Sequence, residues 1–535
     1  MTIHTDVLIV GAGPVGLSLA IELGMRGVRA LVVERNVRTG AAPRAKTTNV
    51  RTRTHLRRWG IADKLAEASP FGVDYPNDMA FVTRLTGDRL ATFTNAFNAA
   101  PDRSDDYPEH AQWIPQYTLE KVLLAHAATL ETVEMRFGVS FVSAAQDASG
   151  VTAIVLSDGE EAQVRARYLV GADGARSLVR DLIGAKMEGR YGLSHHSNVI
   201  FRAPGLAAAH GQGPAVVYWQ IGVNGVSAVG PMDRDDIWFF ASGLSEGETL
   251  SPETAAAMIA QRTGVDLPYE ILSADTWTAS ELLADTYRDG RILLAGDAAH
   301  LHPPFGGYGM NMGVGDAVDL GWKIAAVLQG WGGPDLIDSY EAERRPVHRV
   351  VLEEAMANHA IVAAAFPPAL EEPTPEGRAI RAKVGGMIQA TKGREFHTLG
   401  TVLGLGYETS PIIVPDGTSA PFRDGQTYRP SARPGQLAPH AWMKDGRSLY
   451  DAFGQGFTLL AAHDSSTEDV ATAEAEARML GVPLTVIHPD GVDVATLYGA
   501  RFALVRPDQH VAWRGDAWTS VLGQVTALAS DRIAA

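Results

Sequence analysis

Seven residues into the chain, four branched aliphatic residues, Val7 to Val10, break into Gly11-Ala12-Gly13-Pro14-Val15-Gly16 and resume as an apolar run, Leu17 to Met25, that stops near Gly27. The order reads as a buried strand, a tight turn and a helix, and Val28 to Glu34 follows as a second buried strand, giving one βαβ unit. In that setting G-x-G-x-x-G has a physical meaning. The first glycine permits the turn, the second lets a pyrophosphate approach the backbone, the third lets helix and strand pack closely, and the helix N-terminus attracts the anion. Glu34, eighteen residues beyond Gly16 and followed by Arg35, is spaced to accept hydrogen bonds from a ribose diol. An acid there disfavours a 2′-phosphate, so the nucleotide is FAD or NAD rather than NADP.

The same glycines decide against a membrane span. Residues 7 to 25 approach the ~20 residues of a spanning helix, but Gly11, Gly13, Pro14 and Gly16 interrupt it and Glu22 lies within it. The formal charge of −16 repels nucleic acid and anionic membrane surfaces. With no cysteine in 535 residues, disulfides, thiolate nucleophiles, iron–sulfur clusters and Cys-ligated zinc are excluded, so redox work must come from a bound cofactor. The N-terminal residues lack a secretory or transit pattern, which gives an expectation of a cytoplasmic protein.

Two further strand-like runs end in a Gly/Asp turn. Tyr168-Leu169-Val170 leads into Gly171-Ala172-Asp173-Gly174, and Arg291 to Ala295 leads into Gly296-Asp297, followed by His300, His302, Pro303, Pro304, Phe305 and the glycine-rich turn Gly306 to Asn311. A carboxylate at such a strand end suits a ribityl chain, and a helix N-terminus suits the anionic edge of a reduced isoalloxazine, which favours FAD over NAD. The expected architecture is α/β in three units. Residues 1–75, 110–185 and 276–360 form a discontinuous Rossmann-like FAD domain; 76–109 and 186–275 form an inserted mixed or antiparallel β-sheet domain; 361–410 is a helical linker; 411–535 is a separate α/β domain.

In this order and spacing the three motifs resemble the single-component FAD-dependent aromatic hydroxylases, the group of para-hydroxybenzoate hydroxylase, phenol hydroxylase and pentachlorophenol monooxygenase. The likeness spans roughly residues 5 to 360, and the tail resembles the thioredoxin-like domain of the larger members. It implies a glutathione-reductase-type FAD fold, NADPH or NADH as transient reductant, and oxygen transfer through a flavin C4a-hydroperoxide to a phenolic or polyketide-like ring. By position, Glu34 would hold the adenosine ribose, Arg44 would lie near the pyrophosphate, and Gln116 would contact FAD. Asp173 belongs to the motif tied to FAD and NADPH, Asp297 would bind the ribityl chain beside Gly296 and Pro304, and Gly307, Gly309, Met310 and Asn311 would present backbone to the flavin. Phe141 would offer main chain to the adenine.

Tyr308 stands where many relatives have Gln, pointing to a substrate contact or an altered flavin position. The catalytic base is unassigned, with His300, His302 and Tyr308 as candidates. Tyr218, Phe240, Pro303 and Phe305 are expected to line the substrate cavity. His195-His196 lacks a third ligand pattern, so no metal is expected, and Arg51, Arg53, Arg57 and Arg58 read as a solvated helix face or as a binding site for an anionic substrate or NADPH. The expected partners are a small aromatic molecule, O2 and a second copy of the chain. The rivals are a flavin-dependent halogenase, of whose WxWxIP signature only Trp113-Ile114-Pro115 is present, and a non-catalytic flavin-binding sensor or assembly protein.

Overall fold

The computed structural model describes residues 2–37, 45–223, 225–359 and 366–528. Its first core is a six-stranded sheet. Five strands run parallel, in the spatial order Ile292–Leu294, Tyr168–Gly171, Val7–Val10, Ala30–Glu34 and Val133–Phe137, with antiparallel Arg288–Asp289 at the edge. Val7 to Val10 are buried on both faces, as a central parallel strand requires. The helix Pro14–Gly24 opens with Gly13 as N-cap and proline at its first position, and it lies against the long helix Gly309–Gln329. Small residues permit that approach: a Cβ added at Gly313 would come 2.5 Å from Val15 Cγ2, and one at Gly321 would come 2.5 Å from Glu22 Cγ. A second sheet, ordered Thr2–His4, Glu160–Ala166, Gly150–Ser157 and Val139–Asp147, flanks this unit.

The inserted domain is an eight-stranded, mostly antiparallel sheet. Its order is His300–Leu301, Glu270–Ala284, Met187–Arg202, Ile237–Leu244, Gly225–Pro231, Val217–Gly222, Met79–Val82 and Arg89–Phe93. The strand Glu270–Ala284 runs unbroken past residue 276, so the sequence boundary placed there cuts a strand that pairs with Met187–Arg202 nearly throughout. Each face has its own core. Tyr218, Trp238, Phe240, Val199 and Phe201 pack beneath the helix Pro252–Thr263, on Ala255 and Ile259. On the opposite face Val217, Phe239, Ile200, Phe81 and Phe93 meet Trp113, Tyr117, Val384, Ile388, Phe396 and Leu403.

The segment expected to be a linker is therefore structural. Its helix Pro375–Phe396 lies on the strand Arg89–Phe93, so closely that a Cβ at Gly385 would sit 2.3 Å from the Leu90 carbonyl oxygen. Burying Val384, Ile388 and Phe396 makes it part of the domain core.

The C-terminal unit is a four-stranded sheet ordered Leu484–Ile487, Phe457–Ala461, Phe502–Val505 and Val511–Gly515. The first pair is parallel, the others antiparallel, and the helix Thr467–Leu480 bridges the parallel pair. That is thioredoxin-like topology. Arg506, fully buried in this unit, donates to both oxygens of Glu343 at 2.6 and 2.9 Å, to Asp319 at 3.3 Å and to Asp508 at 2.6 Å. Lys323 joins the same cluster through Asp319 and Glu343, at 2.7 and 2.5 Å. Desolvation and the neighbouring carboxylate hold Asp319 well above the usual carboxylate range despite both cations, while Arg506 and Lys323 hold Glu343 below it against its burial. The tail thus supplies a cation to two carboxylates on helices of the cofactor unit.

Among the described residues, no helix is long and apolar enough to cross a membrane.

Candidate cofactor and substrate site

Three glycine clusters from distant parts of the chain meet at one place. Gly11 has φ +108°, and a Cβ there would lie 2.3 Å from the Ala172 carbonyl oxygen, so the first turn is tucked against the second motif. A Cβ on Gly16 would lie 2.0 Å from the Gly11 oxygen, which fixes the helix on its own turn. Gly13 is different: a Cβ there meets nothing within 4 Å. Val15 packs against the third cluster and the helix that follows it, where its side chain would stand 2.8 Å from a Cβ added at Gly296 and 2.5 Å from one added at Gly313.

Two helix N-termini open beside this knot. Neither Pro14–Gly24 nor Gly309–Gln329 has a side-chain cap or an acid in its first turn, so their leading amides are available to an anion. Glu34 Oε2 accepts from Ala12 N at 3.0 Å while Oε1 accepts from Asn36, so the carboxylate stands at the end of its strand facing the glycine turn; Arg35 beside it is exposed. An open middle glycine, two uncapped helix ends and an acid at the neighbouring strand tip are the donor and acceptor set a dinucleotide needs, and the residues fit FAD.

The other candidates fall in several places. Arg44 lies outside the described residues. Gln116 Oε1 accepts from Ala45 N at 3.1 Å, so it pins the segment that follows Arg44. Asn311 is buried and spends its amide on structure: Oδ1 accepts from Asn49 N at 3.0 Å and Nδ2 donates to the carbonyls of Thr47 and Gly307 at 2.9 and 2.7 Å. These bonds lock the strand Thr47–Thr48 onto the turn at Gly307 and leave the backbone of Gly309 and Met310 at the helix start. Asp297 sits half-buried in the short turn Gly296–Ala298. Pro304 is exposed beside buried Pro303, and Phe305 is buried with Lys392 Nζ 5.6 Å from its ring centre. Phe141 has its side chain in the core of the flanking sheet, opposite Val155.

Asp173 acts as a helix cap. It accepts from Ser177 Oγ at 2.5 Å and from the amides of Leu178 and Val179 at 2.8 and 3.2 Å, so its oxygens are taken up by the helix Leu178–Leu182.

Several expectations need correction. Tyr218 and Phe240 point into the core beneath Pro252–Thr263, on the face of the sheet turned away from the cofactor unit, and the Tyr218 hydroxyl donates to the Gly213 carbonyl. Strand alternation then puts their neighbours Trp219 and Phe239 on the opposite face, with Trp113 and Tyr117. Tyr308 is buried among apolar side chains. Its ring packs on Gly306 and among Val351, Ala355, Met312, Val402 and Leu405, its hydroxyl bonds Thr401, and burial pushes that hydroxyl far above its ordinary titration range.

The arginine cluster is neither a solvated face nor an open anion site. Arg53 and Arg57 pair with Glu109 at 2.8 Å each, Arg57 also with Asp451, Arg58 with Glu22 at 2.6 Å, and Arg51 with Gln509.

His300 and His302 belong to a buried network that the sequence did not reveal. Asp316 Oδ2 accepts from Gly296 N at 3.0 Å and from His300 Nε2 at 2.8 Å; Oδ1 accepts from Arg344 Nε at 2.7 Å and His348 Nε2 at 2.8 Å. Burial would raise Asp316, but His348, Arg344 and His300 hold it well below the carboxylate range. As an ionised acceptor it fixes Nε2 of both imidazoles as donors. Burial keeps His348 neutral, with its pKa down to about 3, and His302 lies 3.1 Å from His300 through their Nδ1 atoms. Asp316 thereby ties the Asp297 turn, the strand leading to Pro303 and the helix Asp338–His359 to one carboxylate. Its only trace in the sequence is acids three residues apart on an otherwise apolar helix, at 316 and 319.

Comparison with known proteins agrees with this geometry. A family model described as an FAD binding domain matches residues 4–355, and one described as the C-terminal domain of aromatic-ring hydroxylases matches residues 431–531. The chain belongs to the FAD-dependent aromatic-ring hydroxylases. This hydroxylase is 34% identical to 2,4-dichlorophenol 6-monooxygenase of Delftia acidovorans, over 99% of this chain and 98% of that protein. It is 35% identical to aklavinone 12-hydroxylase RdmE of Streptomyces purpurascens, over 96% of each. Among solved structures it superposes on RebC with bound 7-carboxy-K252c at TM-score 0.91, with 34% identity over 99% of this chain and 100% of that one. A ternary complex of aklavinone-11 hydroxylase with FAD and aklavinone gives TM-score 0.85 at 33% identity, over 98% and 100%. The hydroxylase is thus an FAD-dependent monooxygenase that takes electrons from a reduced nicotinamide.

Proposed function

We propose that the hydroxylase inserts one oxygen atom into the ring of a phenolic or polyketide-like aromatic molecule, using O2 and NADPH or NADH in the cytoplasm. One observation carries the reading. The uncapped N-terminus of Gly309–Gln329 is tied through Asn311 to Thr47, and the preceding residue, Lys46, sets its ammonium 4.1 Å from the ring centre of Phe239 on the eight-stranded sheet, so the helix start and the apolar sheet face are joined by one short segment. A planar ring bound between these two elements would have aromatic side chains on one side and helix-terminal amides on the other.

When bound, FAD supplies the electron transfer and the activation of O2. The residues here bind, orient and exclude. Gly13 would admit the pyrophosphate and Glu34 would take the ribose, while Gln116 holds the segment at Ala45. Asp297 would take the ribityl chain, and the amides of Gly309, Met310 and Asn311 would favour negative charge at the flavin edge. Trp219, Phe239 and the helix Pro375–Phe396 pack together on the sheet face and would keep bulk water from a ring bound there, which favours oxygen transfer over release as H2O2. The relatives' printed names, a dichlorophenol monooxygenase and aklavinone hydroxylases, support both ends of the substrate range.

The test is nicotinamide oxidation by the purified yellow protein across a panel of phenols and fused-ring phenols, with product mass. The expected result is substrate-stimulated oxidation with a product heavier by one oxygen. Stimulation without any oxygenated product would refute the reading.

A further inference from the structure

Asp316 holds one nitrogen of each imidazole it binds, and the opposite nitrogens have no role so far. His300 and His348 are fully buried and stacked, 3.7 Å between ring centres and 23° between planes, and each gives Nε2 to Asp316 at 2.8 Å. With Nε2 as the donor, a neutral imidazole keeps a bare lone pair on Nδ1. His302 completes the group, its ring centre 4.7 Å from that of His300 and 5.5 Å from that of His348. One ring nitrogen from each of the three lies within 4.8 Å of the other two.

The hydrogen bonding of this group does not close. His348 Nδ1 is shut off from solvent and meets no donor among the described residues. If His302 donates through Nδ1 to His300, 3.1 Å away, its own buried Nε2 becomes a second lone pair without a donor; if it carries its proton on Nε2, two Nδ1 lone pairs face each other at that distance. Either tautomer strands acceptors in the interior, where an unmet acceptor is costly. A cation takes up such lone pairs together. On a tetrahedral ion with bonds of about 2.0–2.1 Å, two imidazole nitrogens stand about 3.3–3.4 Å apart, close to the separation that His300 and His302 already have. The third nitrogen has at most about 1.5 Å to close. Asp316 meanwhile supplies what an outer carboxylate gives a metal-bound histidine: it fixes the tautomer, aims Nδ1 and raises its basicity.

We propose that His300, His302 and His348 form a binding site for one late first-row divalent ion of the Zn2+ type, with a water as fourth ligand and Asp316 as the group that orients two of the imidazoles. Three imidazoles without a thiolate or a directly placed carboxylate suit Zn2+, Co2+ or Ni2+ and not Mg2+ or Ca2+. His302 is half-buried and Pro304, two residues on, is exposed, which gives the ion a way in.

The ion acts as a clasp. His300 belongs to the edge strand His300–Leu301 of the eight-stranded sheet and His302 follows it, whereas His348 comes from the helix Asp338–His359, so one ion ties the sheet edge to that helix. Binding to the folded protein alone raises the melting temperature by mass action. Arg344 already balances the charge of Asp316, so the site offers donors without net negative charge, and the affinity expected is micromolar rather than that of a thiolate site. This clasp is separate from the hydroxylation chemistry and stands or falls without it.

The experiment titrates the FAD-loaded protein, first stripped with EDTA, with CoCl2, whose four- and five-coordinate complexes absorb strongly to the red of the flavin bands. Wild type is compared with H348Q, whose amide can still donate to Asp316, and with H302Q. The expected result is one cobalt bound per chain with an intense low-coordinate spectrum, its displacement by Zn2+, and a higher Tm with metal; both variants lose that spectrum and about tenfold or more in affinity. Should H348Q fail to retain FAD, H302Q decides, since its position is only half-buried. The proposal is overturned if wild type binds no cobalt, if the bound cobalt shows only the pale six-coordinate spectrum of surface histidines, or if the variants bind it as wild type does. In each of those cases the three rings enclose a water and not an ion.

Discussion

Replacing Gly13 by Ala should separate cofactor binding from folding. Gly13 has φ −72° and ψ −178°, extended backbone open to any residue, and a Cβ there meets no protein atom within 4 Å. Two opposing effects act on the folded protein. Ala lowers the entropy of the unfolded chain, which stabilises by about 0.4–1 kcal/mol, and Ala is a poorer N-cap than Gly by a similar amount, about 0.5–1 kcal/mol. The net change is within about 0.5 kcal/mol, or about 1–2 °C in Tm. The methyl instead occupies space the pyrophosphate needs, and overpacking of that kind costs about 1–3 kcal/mol, hence an FAD Kd about five- to 150-fold higher. Gly11→Ala supplies the contrast. Its positive φ costs about 1–3 kcal/mol, and its Cβ would sit 2.3 Å from the Ala172 carbonyl oxygen, so the apoprotein itself should melt lower. The assay is calorimetry of the flavin-free proteins beside FAD titration by fluorescence quenching. An apo Tm for G13A as depressed as that of G11A, or a wild-type FAD affinity in G13A, would refute the reasoning.

Asp316→Asn should destabilise by about 3–5 kcal/mol, because it leaves the buried Arg344 guanidinium unpaired; the same loss of acceptor at Gly296 N should weaken FAD binding beyond what an equally destabilised distant variant shows, as measured by denaturant midpoints and flavin titration. Glu22 is buried, and although burial raises it, Arg58 and Arg26 hold it down to about 2. Its folded pKa lies below the unfolded value of about 4.3, so its contribution is fully present above that value and is lost as pH falls toward 2. Urea midpoints between pH 6 and pH 3 should therefore fall less in Glu22→Gln than in wild type, and an unchanged slope would count against it. Tyr218→Phe should leave kcat/KM for hydroxylation unchanged and cost about 1 kcal/mol of stability for one hydrogen bond, whereas Phe239→Ala should raise KM, since only the latter lies on the sheet face shared with Trp113 and Tyr117.

The cofactor unit was legible in the sequence for a local reason. Gly11, Gly13, Gly16 and Glu34 lie within one βαβ unit, and their roles follow from backbone freedom and strand length, quantities set by neighbours along the chain. The turns at Gly296 and Gly307 are of the same kind. The aromatic strands were harder. Tyr218-Trp219 and Trp238-Phe239-Phe240 place large rings on both faces of the sheet, so alternation alone names two candidate faces and cannot choose between them. The helix Pro252–Thr263 chose, by covering the Tyr218 and Phe240 side. Tyr308 was misjudged for a related reason: its place in the turn was visible, but the pocket formed by Val351, Ala355 and Val402 that takes its ring comes from helices formed later in the chain.

By itself, then, the sequence determined the kind of cofactor, the α/β class and the redox silence of the thioredoxin-like tail, since a chain without cysteine cannot exchange thiols wherever it folds. Only the tertiary structure decided which charges are neighbours. Arg506 and Glu343 are 163 residues apart, Arg57 and Asp451 are 394, and Asp316 reaches Gly296, His300, Arg344 and His348 from three separate segments. Lys46 belongs with them. One lysine among 46 basic residues carries no signal in sequence, and only long-range packing, not local propensity, sets Phe239 beneath its ammonium.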